Sequence, residues 1–136
     1  MKGVMKRTLP VFILALLLAV APRAALAFED AVADVEWKVL EIGGKKIEGD
    51  AGMLVFHRNK VAGRAACNRL FGQFNSIPNK GVAFNQIGTT RMMCEGKMEF
   101  ERQLLDALEK VRGYKHDGLT LLLLDETGGV LVKLVQ

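Results

Sequence analysis

Turn-forming residues divide most of this chain into short segments with strand periodicity, and this division limits the fold more than any other sequence feature. Apolar and polar residues alternate within the segments, as in Leu54 and Phe56, and each segment ends near glycine, asparagine or proline. The predicted strands are 35–42, 52–59, 60–68, 69–77, 82–87, 119–126 and 130–136. Because short turns join antiparallel neighbours, the pattern predicts an antiparallel sheet with one buried face.

One segment after residue 27 has helical periodicity instead. Its apolar residues follow the spacing of one helix face, at Phe100, Leu104, Ala107, Leu108 and Val111. Gly113 supplies a stop just beyond them. The sequence therefore predicts a mainly β (α+β) fold. We expect a small curled antiparallel β-sheet or barrel of about seven to eight strands, with one amphipathic helix at about 95–111 packed on it.

The N-terminus has the layout of a secretory signal peptide. Three basic residues precede an uncharged apolar run at 11–21, and the small residues Ala25 and Ala27 precede Phe28. The run is shorter than the roughly 20 apolar residues that span a bilayer. We therefore predict a cleaved signal peptide at 1–27, a single domain at 28–136, a periplasmic or secreted location, and no membrane anchor after cleavage.

Removal of residues 1–27 changes the charge balance. Four of the 19 lysines and arginines lie in that segment, which leaves 15 against 15 aspartates and glutamates, a net charge of zero. A chain without a net positive field lacks the electrostatic basis for binding nucleic acid. The same reasoning argues against a polybasic membrane tether.

The stretch TTRMMC at 89–94 contains one of the two cysteines of the chain. In an oxidising compartment Cys67 and Cys94 can form a disulfide, which would close a loop of about 28 residues and contribute roughly 3–4 kcal/mol. The alternatives are two free thiols, or a copper site in which Met92, Met93 and Met98 join Cys94. Adjacent residues of an extended segment point to opposite faces, so we favour a disulfide with the methionines packed in the core, and expect no metal or cofactor.

Nucleophilic catalysis has little support. Ser76 is the single serine of residues 28–136, and it lacks the Gly-x-Ser-x-Gly setting of an exposed nucleophile. Cys94 could pair with His57 or with His116, which lies in the turn-like YKHDG, but a bridged cysteine offers no thiolate. We therefore predict no catalytic residues, and a Cys/His-based enzyme is the weakest alternative.

Charged residues near the helix start have two interpretations each. Glu99 and Glu101 are expected to be solvated, although Glu101 can instead bond back to the loop at 89–91. Arg91 is expected to pair with Glu95 or Glu101, and otherwise to bind an anionic ligand at the helix N-terminus.

Four consecutive leucines, Leu121 to Leu124, make both faces of one predicted strand apolar. One face can lie under the helix, and the other can be core, a ligand cavity or a partner surface. Leu122 and Leu124, with Arg91, are therefore candidate contacts for a ligand or partner.

The order of several motifs resembles the META domain family, whose bacterial type is the heat-shock-associated protein HslJ. The matching segments are LVFHRNKVAGRAACNRLFGQF, FNQIGTTRMMC and MEFERQLLDAL, and the resemblance extends over roughly 35–134. The positions that match the family motifs are Trp37, Gly63, Cys67, Asn68, Gly72, Thr90, Met92, Cys94, Met98 and Glu101. Three positions depart from the pattern: Val39 replaces Leu, Ala66 replaces Gly before the cysteine, and Phe74 replaces Tyr.

The resemblance implies a barrel-like antiparallel domain with a packed helix, an envelope location, and an association with stress or antibiotic tolerance. It implies no agreed reaction. We therefore expect a non-enzymatic, monomeric, HslJ-like envelope module that binds an envelope protein or a small apolar ligand. The alternative is a lipocalin-like carrier with a cavity between sheet and helix.

Overall fold

The computed structural model describes residues 3–5, 19–20, 27–79 and 81–136. Most of the predicted signal peptide therefore lies outside the described residues. The elements are α1 Phe28–Val32, β1 Trp37–Ile42, β2 Lys45–Lys46, β3 Gly52–His57, β4 Lys60–Ala65, β5 Asn68–Ile77, β6 Gly81–Thr89, α2 Met98–Lys110, β7 Gly113–Asp117, β8 Thr120–Leu124 and β9 Val130–Val135.

The strands form one antiparallel sheet that closes into a ring. Its order is β2-β1-β3-β4-β5-β6-β7-β8-β9, and an additional pairing between β1 and β9 joins the two ends. Each strand of the ring therefore has one face toward an enclosed core and one face outward. This confirms the predicted antiparallel sheet with a helix packed on it.

The sheet has nine strands rather than the predicted seven to eight, because two were missed. β2 is a two-residue extension that pairs with the end of β1. β7 is Gly113–Asp117, and it includes most of YKHDG, the segment predicted to be turn-like. It pairs with β8 along its whole length, so a tertiary partner decides its conformation.

Helix α2 packs on the sheet beside β6, which has few pairings with the next strand of the ring. β6 pairs with β7 at a single position, Gly81 with Gly113, so most of that edge of β6 lacks a strand partner. The apolar stripe of α2 packs against β6, β9, β1 and β4, and it buries Phe100, Leu104 and Leu108. The predicted helix at 95–111 is thus confirmed, with slightly shorter bounds.

A second helix, α1, was not predicted because its five residues are too few to show a helical period. Its first residue, Phe28, is buried and lies among four aromatic rings, those of Phe56, Phe74, Phe84 and Tyr114. The centroid distances from Phe28 to these rings are 4.8–6.3 Å, all in edge-to-face geometry. Phe28 therefore fills the interior of the ring with an aromatic cluster.

The end of α1 is attached to the sheet at two points. The indole Nε1 of Trp37 donates a hydrogen bond of 3.0 Å to the Val32 carbonyl oxygen. The backbone N–H of Asp34 donates to the Phe56 carbonyl oxygen at 2.9 Å. The opening residue of the family pattern, Trp37, therefore fixes the segment that carries Phe28.

We expect Phe28→Ala to lower the free energy of unfolding by about 3–5 kcal/mol, because it leaves a cavity inside the aromatic cluster. Urea unfolding followed by circular dichroism measures the effect. Phe71→Ala is the matched control, because Phe71 is half-exposed on the outer face and its removal should cost below about 1 kcal/mol. Equal losses for the two variants would contradict the assignment of Phe28 to the core.

Candidate functional site

The two cysteines form a disulfide, as predicted from the sequence. Cys67 lies in the turn between β4 and β5, and Cys94 lies in the segment before α2, with their Cα atoms 5.6 Å apart. Cys94 is buried and Cys67 is exposed. The bond therefore attaches the segment that leads into α2 to one end of the sheet.

Asn68, next to Cys67, is completely buried and uses its whole hydrogen-bonding capacity. Its Nδ2 donates to the Met92 carbonyl oxygen at 2.9 Å and to Glu101 Oε2 at 2.7 Å. Its Oδ1 accepts from the Met92 backbone N–H at 2.7 Å and from the Thr90 hydroxyl at 2.9 Å. One side chain thus joins β5, the segment before α2, and α2 itself.

Glu101 completes this cluster from the helix. It is 7% exposed, and its Oε1 accepts a hydrogen bond of 2.7 Å from the Thr89 hydroxyl. The expectation that Glu101 is solvated is therefore wrong, and the alternative, a bond back to the loop, is correct. The physical reason is position, since Glu101 lies three residues before Leu104 and shares the buried face of α2. Glu99 is solvated as expected and bonds Arg102.

The methionines and Arg91 differ from expectation. Met92 and Met93 are 55% and 82% exposed, so they are not core filler. Met98 Sδ accepts a hydrogen bond of 3.3 Å from the Cys94 backbone N–H. Arg91 is exposed and makes no ion pair within the part of the chain that the structure describes.

The metal alternative loses its thiolate ligand, because Cys94 Sγ belongs to the disulfide. Within residues 27–79 and 81–136, no group of three or more histidine, cysteine, aspartate or glutamate side chains could hold a metal ion.

The histidines bond groups other than the cysteines. His57 Nδ1 lies 2.6 Å from Asp34 Oδ1, at the surface. His116, which is on β7 rather than in a turn, has its Nε2 2.9 Å from the Gly118 carbonyl oxygen and its ring against Trp37. Cys94 makes no hydrogen bond with either histidine among the described residues.

The leucine segment is mostly interior. Leu121, Leu123 and Leu124 are buried and Leu122 is half-buried. Leu124 is therefore not available to a partner at the surface, and Leu122 is available only in part.

The glycines of the family pattern have a steric cause that sequence spacing alone cannot reveal. A Cβ atom at Gly63 would overlap the Met53 carbonyl oxygen, and one at Gly72 would overlap the Ile87 side chain. Ala66 has a φ of +55°, the left-handed conformation that glycine adopts at lower cost. The tight bend before Cys67 therefore forms even though alanine replaces glycine.

Clear pKa shifts occur at other places in the molecule. The Thr127 hydroxyl and the Gly129 backbone N–H hold the pKa of Asp125 below its ordinary value. Because the folded pKa is depressed, the stability that Asp125 provides to the β8–β9 turn is present above its unfolded pKa and is lost as the pH falls through the folded pKa. Burial raises the pKa of Tyr114, and the Asp30 charge adds to this effect.

We expect Asn68→Ala to lower the free energy of unfolding by about 2–4 kcal/mol, because it leaves the Glu101 carboxylate and the Met92 amide without a buried partner. Urea unfolding of the oxidised protein measures it. Asn75→Ala is the control, since Asn75 is exposed on the same strand and should change stability by less than about 0.5 kcal/mol. A loss no larger than that of the control would show that the cluster is dispensable.

Comparison with known proteins gives the chain a family. The META domain family matches residues 30–136. Among solved structures, the fold is similar to a DUF4847 family protein from Bacteroides vulgatus, with a TM-score of 0.62 and 14% identity over 79% of this chain and 95% of that one. A protein from Burkholderia xenovorans is similar with a TM-score of 0.60 and 18% identity, over 85% of this chain and 92% of that one.

No curated protein matches the sequence. The structural similarities are below 25% identity and concern the fold alone. The match to the family extends over the sheet, α2 and both cysteines, so this chain belongs to the META domain family.

Proposed function

We propose that the protein is a non-enzymatic, exported, HslJ-like binding module of the cell envelope, acting under stress or antibiotic exposure through its outer surface. The observation that carries the proposal is the aromatic cluster that fills the interior. Phe28 occupies the space inside the ring with its own side chain, in contact with Phe56, Phe74 and Tyr114. Binding through the outer surface of the protein does not require the Phe28 side chain to move.

Export is supported by the sequence of residues 1–27 and is compatible with the disulfide. A bond between Cys67 and Cys94 suits the periplasm or the extracellular space, where such bonds persist. The helices in the part of the chain that the structure describes are too short or too polar to span a bilayer.

The lipocalin-like carrier is the alternative, and it would bind a small apolar ligand inside the ring. It requires α1 to leave the interior, because Phe28 lies where such a ligand would bind. A Cys/His-based enzyme would require reduction of the Cys67–Cys94 bond before any thiolate could attack.

We expect the full chain, expressed with export allowed and recovered from the envelope fraction, to have the mass of residues 28–136 with one disulfide. Native mass spectrometry of this sample measures cleavage, oxidation and bound molecules together. A copurified lipid-sized or other apolar adduct on most molecules would favour the carrier. An uncleaved chain with two free thiols in the cytosolic fraction would contradict export.

A further inference from the structure

Charge is strongly segregated along the domain. Residues 51–94 contain no aspartate or glutamate, although they include six lysines and arginines, at Arg58, Lys60, Arg64, Arg69, Lys80 and Arg91. All 15 acidic residues of the chain lie outside this stretch. Residues 28–136 have a net charge of zero, but residues 51–94 within them are basic. Net charge alone therefore does not exclude an anionic partner.

Strands β3 to β6 lie within this stretch, and three of its cations, Lys60, Arg64 and Arg69, are on β4 and β5. One cross-strand row runs from Lys38 through Met53 and Arg64 to Arg69. A parallel row runs from His57 through Lys60 and Gln73 to Asn85. The side chains of both rows lie on the outer face of the ring, because the alternate positions of these strands are buried.

An apolar row lies between the two polar ones. Val55 pairs with Ala62, Ala62 pairs with Phe71, and Phe71 pairs with Gly88. The side chain of Phe71 is 52% exposed, and a Cβ atom at Gly88 would lie 2.9 Å from its ring. The absence of a side chain at Gly88 thus lets the ring lie across β6. We call the three rows together the Phe71 face.

Much of the positive charge on the Phe71 face is not compensated. Arg64 pairs with Asp50 at 2.9 Å, and His57 lies 2.6 Å from Asp34. Lys60 and Arg69 are exposed and make no ion pair among the residues that the structure describes. The face therefore combines an exposed aromatic ring with free cationic groups on both sides of it.

We propose that the Phe71 face binds the surface of a bilayer that contains anionic phospholipid. The ring of Phe71 enters the interfacial region, while Lys60 and Arg69 contact phosphate groups. This proposal rests on the proposed function, since it requires export, and it names the partner of the outer surface.

A lipid surface fits these observations better than an acidic protein segment does. β4 and β5 are paired on both sides, so the centre of the face has no free strand edge to which a peptide could add. The lysine and arginine side chains of the face lie on three strands, β1, β4 and β5, around one aromatic ring, and this arrangement suits a plane of headgroup charges. The face is complementary to anionic groups, because the three rows contain no carboxylate, and the two carboxylates that contact them, Asp34 and Asp50, pair with His57 and Arg64.

Cosedimentation tests the proposal, with the oxidised chain 28–136 and vesicles of phosphatidylcholine alone or of equal parts phosphatidylcholine and phosphatidylglycerol. We expect binding to the anionic vesicles at low salt and a steep loss of binding as salt is added. Lys60→Gln and Arg69→Gln should each lower the partition coefficient about fivefold, and Phe71→Ser about five- to tenfold. The matched controls are Lys115→Gln and Leu119→Ser, which remove an exposed cation and an exposed apolar side chain on or next to β7 and should leave binding unchanged.

Equal binding to both kinds of vesicle, or equal effects of the face and control variants, would overturn the proposal. So would self-association that disappears in the face variants without any vesicle binding, because the face would then bind the acidic part of a second copy. Unfolding midpoints close to wild type confirm that each variant is folded. A protein that is exported and oxidised but binds no vesicles overturns this proposal alone, whereas a failure of export is seen separately in the mass and the fraction of the recovered chain.

Discussion

The buried side chain of Asn68 is the contact on which the rest of the arrangement depends. It bonds the segment before α2 through Met92 and α2 through Glu101, and its neighbour Cys67 is bonded to Cys94. Strands β6 and β7 pair at a single position, and α2 packs against β6. Fixing α2 at its first turn therefore also closes the weakest part of the ring.

Two properties of this cluster explain why it needs those residue types. An amide is the side chain that can donate to a carbonyl and a carboxylate while accepting from an amide N–H and a hydroxyl. A buried carboxylate such as that of Glu101 is tolerated because two hydrogen bonds, from Asn68 and Thr89, replace its contacts with water. The disulfide then limits the separation of the two segments, so these short bonds form with little further loss of entropy.

Much of the fold could be predicted from the sequence, because alternation, turn residues and one helical stripe are local signals. β7 could not, since Lys115, His116 and Asp117 are polar and only pairing with β8 makes them a strand. The burial of Phe28 could not be predicted either, because a helix of five residues is too short to show a helical pattern of apolar residues. In the site, the disulfide could be predicted from the signal-peptide layout of residues 1–27 together with the presence of two cysteines. The burial of Glu101 could also have been predicted, because Glu101 lies three residues before Leu104 and therefore on the same face of the helix.

The methionines show a limit of residue type as a guide. Met92 and Met93 are apolar by composition, yet their side chains are exposed, and it is the backbone of Met92 that bonds to the buried Asn68. Net charge has a similar limit, since a balanced total gave no sign that residues 51–94 carry no carboxylate. The exposure of the methionines depends on the fold, whereas the segregation of charge is visible in the sequence when the carboxylates are located along it and not only counted.

Native-state hydrogen exchange in a Glu101→Ala variant tests most directly whether the Asn68-centred cluster fixes α2 to the ring. The account predicts that amide protection falls in Met98–Lys110 and in the segment 89–94, while protection in the β3–β4 and β4–β5 ladders stays close to wild type. Unchanged protection in α2, or an equal loss across all strands, would contradict it.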